Sequence, residues 1–154
     1  MSALFMNRTF MIPAAAWFIA QMIKAIVDYT VYGSFDKRRL LTGSGGMPSS
    51  HASTVTALAV VALIEYGLAS FQFSICFFFA FIVMYDAMGV RLETGKQAKL
   101  LNAIVDELFS GREGIDVFGE HLKELVGHTP LQVICGSLLG AVIALVMEFL
   151  VYGV

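Results

Sequence analysis

Apolar residues follow one another along this chain in long runs, and most charged residues fall between those runs. A helix needs about 20 residues to cross the hydrocarbon core of a bilayer, with roughly 17 to 25 found in practice. Lipid offers the backbone no hydrogen-bond partners, so each apolar run of that length predicts a helix. Four runs qualify, and they cover residues 10–31, 50–66, 70–90 and 129–154.

A long polar stretch, residues 91–128, separates the third run from the fourth and has a helical pattern of its own. Thr94 and Gln97 have the spacing of a capping box. Beyond them, one helix face is apolar (Leu101, Ile104, Val105, Leu108) and the polar residues fall elsewhere (Lys99, Asn102, Asp106, Glu107). A second short helix is predicted after the turn-like residues 110–114. We therefore expect an all-α polytopic membrane bundle, one domain over residues 1–154, with about four spanning helices and an interfacial helical loop.

Composition agrees with a membrane protein and excludes several other classes. Apolar residues make up 58% of the 154 positions and charged residues 14%, whereas soluble domains carry roughly 25% charged residues. The formal net charge of -2 leaves no basic excess for nucleic acid. Cys76 and Cys135 both lie within apolar runs, which argues against a disulfide framework and against a zinc site. No metal or other cofactor is expected.

The positions of the basic residues predict the orientation. Four spans place the loop after the first span and the loop after the third span on the same side of the membrane. Those two loops hold eight of the basic residues (Lys37, Arg38, Arg39, Arg91, Lys96, Lys99, Arg112, Lys123), and the other side holds Arg8. By the positive-inside rule both loops are cytoplasmic and both termini lie outside. This arrangement suits an inner membrane of a bacterium or an organelle.

Two unusual segments, residues 43–51 and 127–132, each open a predicted span on the cytoplasmic side. Ser49 or Ser50 can cap the second span, while Thr129 can cap the fourth span with Pro130 at its first position. A helix N-terminus has unpaired N–H groups and a partial positive charge, and both features favour phosphate.

A histidine stands in each of these segments. His51 and His128 could divide phosphoryl transfer between them, one attacking phosphorus and the other protonating the leaving oxygen. Their rings would then lie within about 8 Å of each other. Basic side chains near the same face could hold the remaining phosphate oxygens, and the candidates are Lys24, Arg91, Lys96 and Lys123.

Several of these residues also have purely structural interpretations. Lys24 could pair with Asp28 at i, i+4. Gln132 has capping-box spacing from Thr129 and needs no catalytic role. Asp86 could bind Arg91 or a site histidine. Finally, two glycines four residues apart in the last span indicate a close-packing face, within one chain or between copies in a homo-oligomer (Gly136, Gly140).

Residues 45–53, 85–102 and 122–130 together resemble the divergent branch of the type 2 phosphatidic acid phosphatase superfamily, which is related to acid phosphatases and vanadium-dependent haloperoxidases. Residues 48–51 (Pro-Ser-Ser-His) resemble a Pro-Ser-Gly-His motif of the superfamily, which implies that His51 is the general acid. His128 takes the position of the nucleophile, although Gln132 stands where the superfamily motif has aspartate. Lys123 is a displaced substitute for the arginine of that motif, and the Lys-x(6)-Arg-Pro motif is incomplete after Lys24.

The resemblance implies a membrane phosphatase that hydrolyses a lipid or isoprenoid phosphate through a phosphohistidine at the cytoplasmic face. In the site that the resemblance implies, the catalytic residues are His128 and His51. The phosphate-binding residues are Ser49, Ser50, Lys24, Arg91 and Lys123, and the supporting residues are Asp86 and Gln132. The alternative is a noncatalytic membrane protein that keeps this scaffold for binding, assembly or transport, and the missing carboxylate favours it. Vanadate-dependent halide oxidation ranks behind both.

Overall fold

The computed structural model describes residues 7–32, 46–109, 122 and 127–153, and all regular secondary structure in these ranges is helical. These described ranges contain five α-helices followed by a π-helical turn. They are α1 (Arg8–Tyr32), α2 (Ser50–Tyr66), α3 (Phe71–Met88), α4 (Val90–Phe109), α5 (Pro130–Val146) and the π-turn (Met147–Val151). The predicted all-α fold is confirmed.

Among the described residues, three helical stretches are long and apolar enough to cross a membrane: Arg8–Thr30, Phe71–Leu108 and Pro130–Val151. Helix α2 is apolar but has 17 residues, the shortest of the four predicted spans. Helix α3 ends at Met88 because Gly89, with φ -100° and ψ -93°, leaves the helical conformation before α4 begins. The structure is therefore a helical membrane bundle, as the apolar runs predict.

Side-chain caps define where α2 and α5 begin. Ser49 Oγ accepts a hydrogen bond from the Ala52 N–H at 3.3 Å, so Ser49 is the cap of α2. Thr129 caps α5, Pro130 occupies the first turn, and Gln132 completes the capping box. The predicted caps of both helices are thus confirmed, and each lies next to a histidine.

Helix α2 packs against α1, α3 and α5 and forms the centre of the bundle. The backbones of α2 and α5 approach closely, because a Cβ on Gly136 or Gly140 would collide with the carbonyl oxygen of Ser49 or Ser53 respectively. Ser53 Oγ also donates to the Ala16 carbonyl oxygen at 3.3 Å, which ties α2 to α1. The predicted glycine face is confirmed as a contact within the chain.

Apolar residues fill the middle of the bundle, whereas α3 directs much of its aromatic surface outward. The central cluster contains small and branched side chains from three helices (Ile12, Ala16, Ala57, Val61, Ile143, Ala144). On α3, by contrast, Phe78 and Ile82 are 62% and 63% exposed in the isolated chain. Such a surface suits the lipid side of a membrane helix.

Helix α4 has three distinct faces. One is buried (Gly95, Ala98, Asn102), one is apolar and exposed (Leu100, Leu101, Ile104, Leu108), and one is polar and exposed (Lys96, Lys99, Asp106, Glu107). An exposed apolar face beside a polar face fits the predicted helix at the membrane surface. The sequence pattern placed Asn102 with the polar residues of α4, but in the structure Asn102 is buried whereas Lys99, Asp106 and Glu107 are exposed.

Candidate functional site

The two histidines lie at the same end of the bundle. His51 is in the first turn of α2, and His128 immediately precedes the cap of α5. Their ring centroids are 6.3 Å apart, with an angle of 58° between the rings. The separation is within the limit of about 8 Å predicted for two imidazoles that share one anion.

Backbone hydrogen bonds hold the histidine segments in place. The His128 N–H donates to the Ala87 carbonyl oxygen near the end of α3 at 3.0 Å. The Ser49 N–H donates to the Gln132 carbonyl oxygen at 3.1 Å, joining the starts of α2 and α5. Three helix ends are therefore connected without using the imidazoles, which leaves the rings for other partners.

A pocket opens between the two rings. The residues that line it come from α2, α3, α4 and the segment before α5 (His51, Val83, Ala87, Arg91, Gly127, His128). Its polar lining residues include the two histidines and Arg91, while Val83 and Ala87 form an apolar wall. Positive or protonatable groups beside an apolar wall can bind an anion that carries a hydrocarbon tail.

Gln132 fixes the orientation of the His128 ring. Its Oε1 accepts a hydrogen bond from the Thr129 N–H at 3.1 Å and lies 3.2 Å from His128 Nδ1. Because the backbone N–H identifies Oε1 as an acceptor, Nδ1 is the donor of the second bond and Nε2 keeps its lone pair. Gln132 thus combines the two interpretations that its spacing allows, capping residue and partner of the histidine.

The environment of His128 favours its neutral form. Burial is the main cause that lowers the pKa of this imidazole below its ordinary value, and the charges of Lys24 and His51 act in the same direction. Hydrogen bonding to Gln132 and to the Gly46 backbone opposes the shift but does not reverse it. A neutral imidazole is the form that a nucleophile requires.

Lys24 is buried below the site, with 5% of its surface exposed. Its alkyl chain lies against Gly46, where a Cβ would come within 2.7 Å of Lys24 Cε, and the φ of +83° at Gly46 also favours glycine. Lys24 is not among the pocket-lining residues. It therefore acts on His128 as a nearby positive charge, and direct contact with phosphate stays a prediction.

Arg91 lines the pocket from the beginning of α4, and Asp86 holds it there. Arg91 Nε donates to Asp86 Oδ2 at 2.5 Å, and 49% of the Arg91 side chain is exposed. Of the two partners predicted for Asp86, the arginine is the one observed in this bond. Asp86 thus supports the site through Arg91, whereas Gln132 orients the nucleophile candidate.

Ser49 and Ser50, two further predicted ligands, are not among the residues that line the pocket. Ser49 and Ser50 are 0% and 3% exposed, and the hydroxyl of Ser49 caps α2. Their role as phosphate ligands stays a prediction, and Lys123 lies outside the described residues. Within the part of the chain that the structure describes, no group of three or more His, Cys, Asp or Glu side chains could hold a metal ion.

Sequence reasoning missed three pocket residues, Val83, Ala87 and Gly127. Val83 and Ala87 are ordinary apolar residues in a span, so nothing local distinguishes them. Gly127 does carry a signal, since it directly precedes His128. Its φ is +91°, and a Cβ there would collide with the backbone of Arg91 and Leu92.

Comparisons with known proteins agree with this architecture. The model of the divergent PAP2 family matches residues 5–143, which include every residue of the pocket. The chain belongs to the divergent PAP2 family. This divergent PAP2 protein is also similar to "Uncharacterized membrane protein YuiD" of Bacillus subtilis (strain 168), with 38% identity over 143 residues, 88% of this chain and 90% of that protein. No solved structure matches it.

Family membership and the apolar helices together make this divergent PAP2 protein an integral membrane protein related to membrane phosphatases. The resemblance found in residues 45–53, 85–102 and 122–130 is thereby confirmed, since all three stretches lie within the matched region.

Proposed function

We propose that this protein is a membrane phosphatase that hydrolyses a lipid or isoprenoid phosphate through a phosphohistidine at the cytoplasmic face. The observation that carries the proposal is the 6.3 Å separation of His51 and His128 across a pocket that Arg91 also lines. Membership of the divergent PAP2 family supports phosphate chemistry. The concentration of basic residues in the loops on this side supports the cytoplasmic orientation.

In the first step, His128 Nε2 attacks the phosphorus atom of the substrate. A P–N bond forms, the bond between phosphorus and the ester or diphosphate oxygen breaks, and the electron pair remains on that oxygen. Protonated His51 donates its proton to the departing oxygen. Arg91 and the positive charge of Lys24 stabilise the negative charge on the equatorial oxygens.

In the second step, water replaces His128 on phosphorus. Neutral His51 accepts a proton from the water while the water oxygen attacks phosphorus. The P–N bond breaks, and the electron pair of that bond returns to His128 Nε2. Inorganic phosphate leaves and His51 is again protonated. Gln132 holds Nδ1–H throughout, so the same nitrogen of His128 forms and breaks the bond.

The apolar wall of the pocket supports a substrate with a hydrocarbon tail. Val83 and Ala87 belong to α3, whose outer surface presents exposed side chains such as Phe79 and Ile82. A tail could lie along this surface while its phosphate enters between the histidines. This geometry favours an amphiphile over a free sugar phosphate or nucleotide.

Phosphate release by the purified protein in detergent tests the proposal. The substrates are phosphatidate, an isoprenoid monophosphate and an isoprenoid diphosphate, and the variants are His51→Ala, His128→Ala, the double variant and His121→Ala as the matched histidine control. We expect both site variants to lose at least about a hundredfold in rate, the control to remain active, and vanadate to inhibit. Wild type that releases no more phosphate than the double variant on every substrate would contradict the proposal.

A second candidate is a noncatalytic protein that binds phosphate-bearing lipids. The neutral amide of Gln132 favours it, because an amide stabilises a positively charged imidazole less than a carboxylate does. Retention of a phosphate analogue by wild type but not by His128→Ala, without phosphate release, is the result that would select this candidate.

A further inference from the structure

Asn102 has an unusual environment for a polar residue on an otherwise exposed helix. It is 7% exposed, and both ends of its side-chain amide bind one backbone residue. Asn102 Nδ2 donates to the Leu122 carbonyl oxygen at 2.9 Å, and Oδ1 accepts from the Leu122 N–H at 3.0 Å. A side-chain amide carries a donor and an acceptor as a peptide group does, so Asn102 binds Leu122 as a neighbouring peptide would.

Leu122 belongs to the segment that leads directly to His128. Five residues further along, Gly127 packs so tightly on α4 that a Cβ would collide with the backbone of Arg91 and Leu92. The next residue, His128, donates its N–H to the Ala87 carbonyl oxygen at 3.0 Å. Leu122, Gly127 and His128 therefore each contact α3 or α4, and the last of them is the candidate nucleophile.

The buried face of α4 is compatible with this attachment. Gly95 and Ala98 lie two turns and one turn before Asn102, and Ala98 is 7% exposed. Small side chains let another backbone approach a helix closely. Helices α3 and α4 also supply Ala87 and Arg91 to the pocket. Residues that contact α4 are therefore held in a fixed position relative to the pocket wall.

We propose that α4 is the template that positions His128, and that Asn102 is a positioning residue acting through the backbone of Leu122. Leu122 lies five residues before Gly127 and six before His128, and both of those residues contact the end of α3 or the start of α4. This role goes beyond that of a helix at the membrane surface. Only its catalytic consequence rests on the function proposed above.

Magnetic resonance of the histidine rings tests this positioning directly. The protein has three histidines, so ¹⁵N-histidine labelling of the full chain in detergent gives a spectrum that single histidine substitutions can assign. The variants are Asn102→Ala and the isosteric Asn102→Asp, which keeps the acceptor for the Leu122 N–H but loses the donor to its carbonyl oxygen. Gln97→Ala, which removes an exposed amide from the same helix, is the matched control.

We expect both Asn102 variants to shift or broaden the ¹⁵N signals of His128 and to change its titration, while Gln97→Ala leaves them as in wild type. If Asn102→Ala fails to fold, the test is made with Asn102→Asp instead. Unchanged His128 signals in the folded Asn102 variants would overturn the proposal, even if their melting temperatures fell, because Asn102 would then be only structural. An equal response in Gln97→Ala would also overturn it.

Turnover separates this proposal from the proposed function. With an active wild type, we expect Asn102→Ala to lower kcat by about tenfold or more with little change in KM, since small misplacements of a reacting group are costly. A response of the His128 signals in a protein without turnover supports the positioning role and rejects the phosphatase. Normal turnover with unchanged signals supports the phosphatase and rejects the positioning role.

Discussion

Each end of the bundle gathers charged or titratable side chains, but the two ends combine them differently. At the end opposite the histidines, Arg8 of α1 donates to Glu148 of the π-turn at 3.2 Å and lies 3.9 Å from Glu65 of α2. Its guanidinium also lies over the Tyr152 ring, 5.0 Å from the centroid. At the histidine end, His51, His128 and Arg91 surround a pocket, with Lys24 buried nearby.

The difference favours a structural role for the Arg8 end and makes the histidine end the candidate site. Opposite charges meet around Arg8, whose guanidinium faces two carboxylates and so ties together helix ends. At the other end Asp86 binds Arg91, while Arg91 and the two imidazoles line a pocket that suits an anion. The pocket between two imidazoles, rather than burial alone, distinguishes the histidine end: Glu148 and His128 are both buried, at 0% and 4% exposure.

The largest expected effect comes from removing the candidate nucleophile. His128→Ala is expected to reduce phosphate release by about a thousandfold or more, because the P–N bond cannot form. Its melting temperature in detergent should stay close to that of wild type. Phosphate release and thermal unfolding, measured on one preparation, check both expectations. A large loss of stability would instead place His128 in the same structural class as Glu148.

Removal of Arg8 should have the opposite pattern. Arg8→Ala leaves the fully buried carboxylate of Glu148 without its cation, and we expect the free energy of unfolding to fall by about 2 kcal/mol. This loss is smaller than for a fully buried ion pair because a third of the Arg8 side chain is exposed. The rate per folded molecule should remain near that of wild type. Thermal unfolding together with turnover normalised to folded protein measures the contrast. Arg8→Lys, which keeps the charge, is the matched control and should lose less.

The sequence predicted the apolar helices, the caps of α2 and α5 and the pairing of the two histidines because each depends on local pattern. The cap predicted at Thr94 is wrong, because α4 begins at Val90 and the Thr94 hydroxyl donates to the Val90 carbonyl oxygen inside that helix. Run length predicts spans, and Ser49 and Thr129 stand where caps belong. Approach of the two helix N-termini follows from the connectivity of four spans. None of this requires knowledge of which side chains touch.

What the sequence did not predict depends on tertiary contact. Asn102 looks like any polar residue on an amphipathic helix, and only the return of the chain at Leu122 buries it. Similarly, Arg8, Glu65 and Glu148 are far apart in sequence and meet only when three helix ends converge. The pocket wall at Val83 and Ala87 is equally invisible in an apolar run.

A smaller effect should come from giving Gln132 a charge. Gln132→Glu keeps an acceptor for the Thr129 N–H and for His128 Nδ1, but its carboxylate stabilises the imidazolium. We expect the pKa of His128 to rise by about one unit or more and kcat to increase, since the phosphohistidine carries positive charge. A ¹⁵N titration and a pH–rate profile measure the two changes. Gln132→Leu, similar in size but without the acceptor, should lower kcat.

The smallest expected effect is a pH dependence of stability specific to the histidine end. Burial lowers the pKa of His128 in the folded protein, so the unfolded chain binds a proton at higher pH than the folded one does. The resulting stability is fully present above the unfolded pKa of about 6.5 and declines as the pH falls from there toward the lowered folded value. The melting temperature should therefore be lower below pH 6 than at pH 7.5, and this decrease should be smaller in His128→Asn than in wild type. Arg8→Ala leaves His128 and its surroundings intact, so in that variant the melting temperature should fall with pH as in wild type. If Arg8→Ala loses this pH dependence, the two ends of the bundle are coupled.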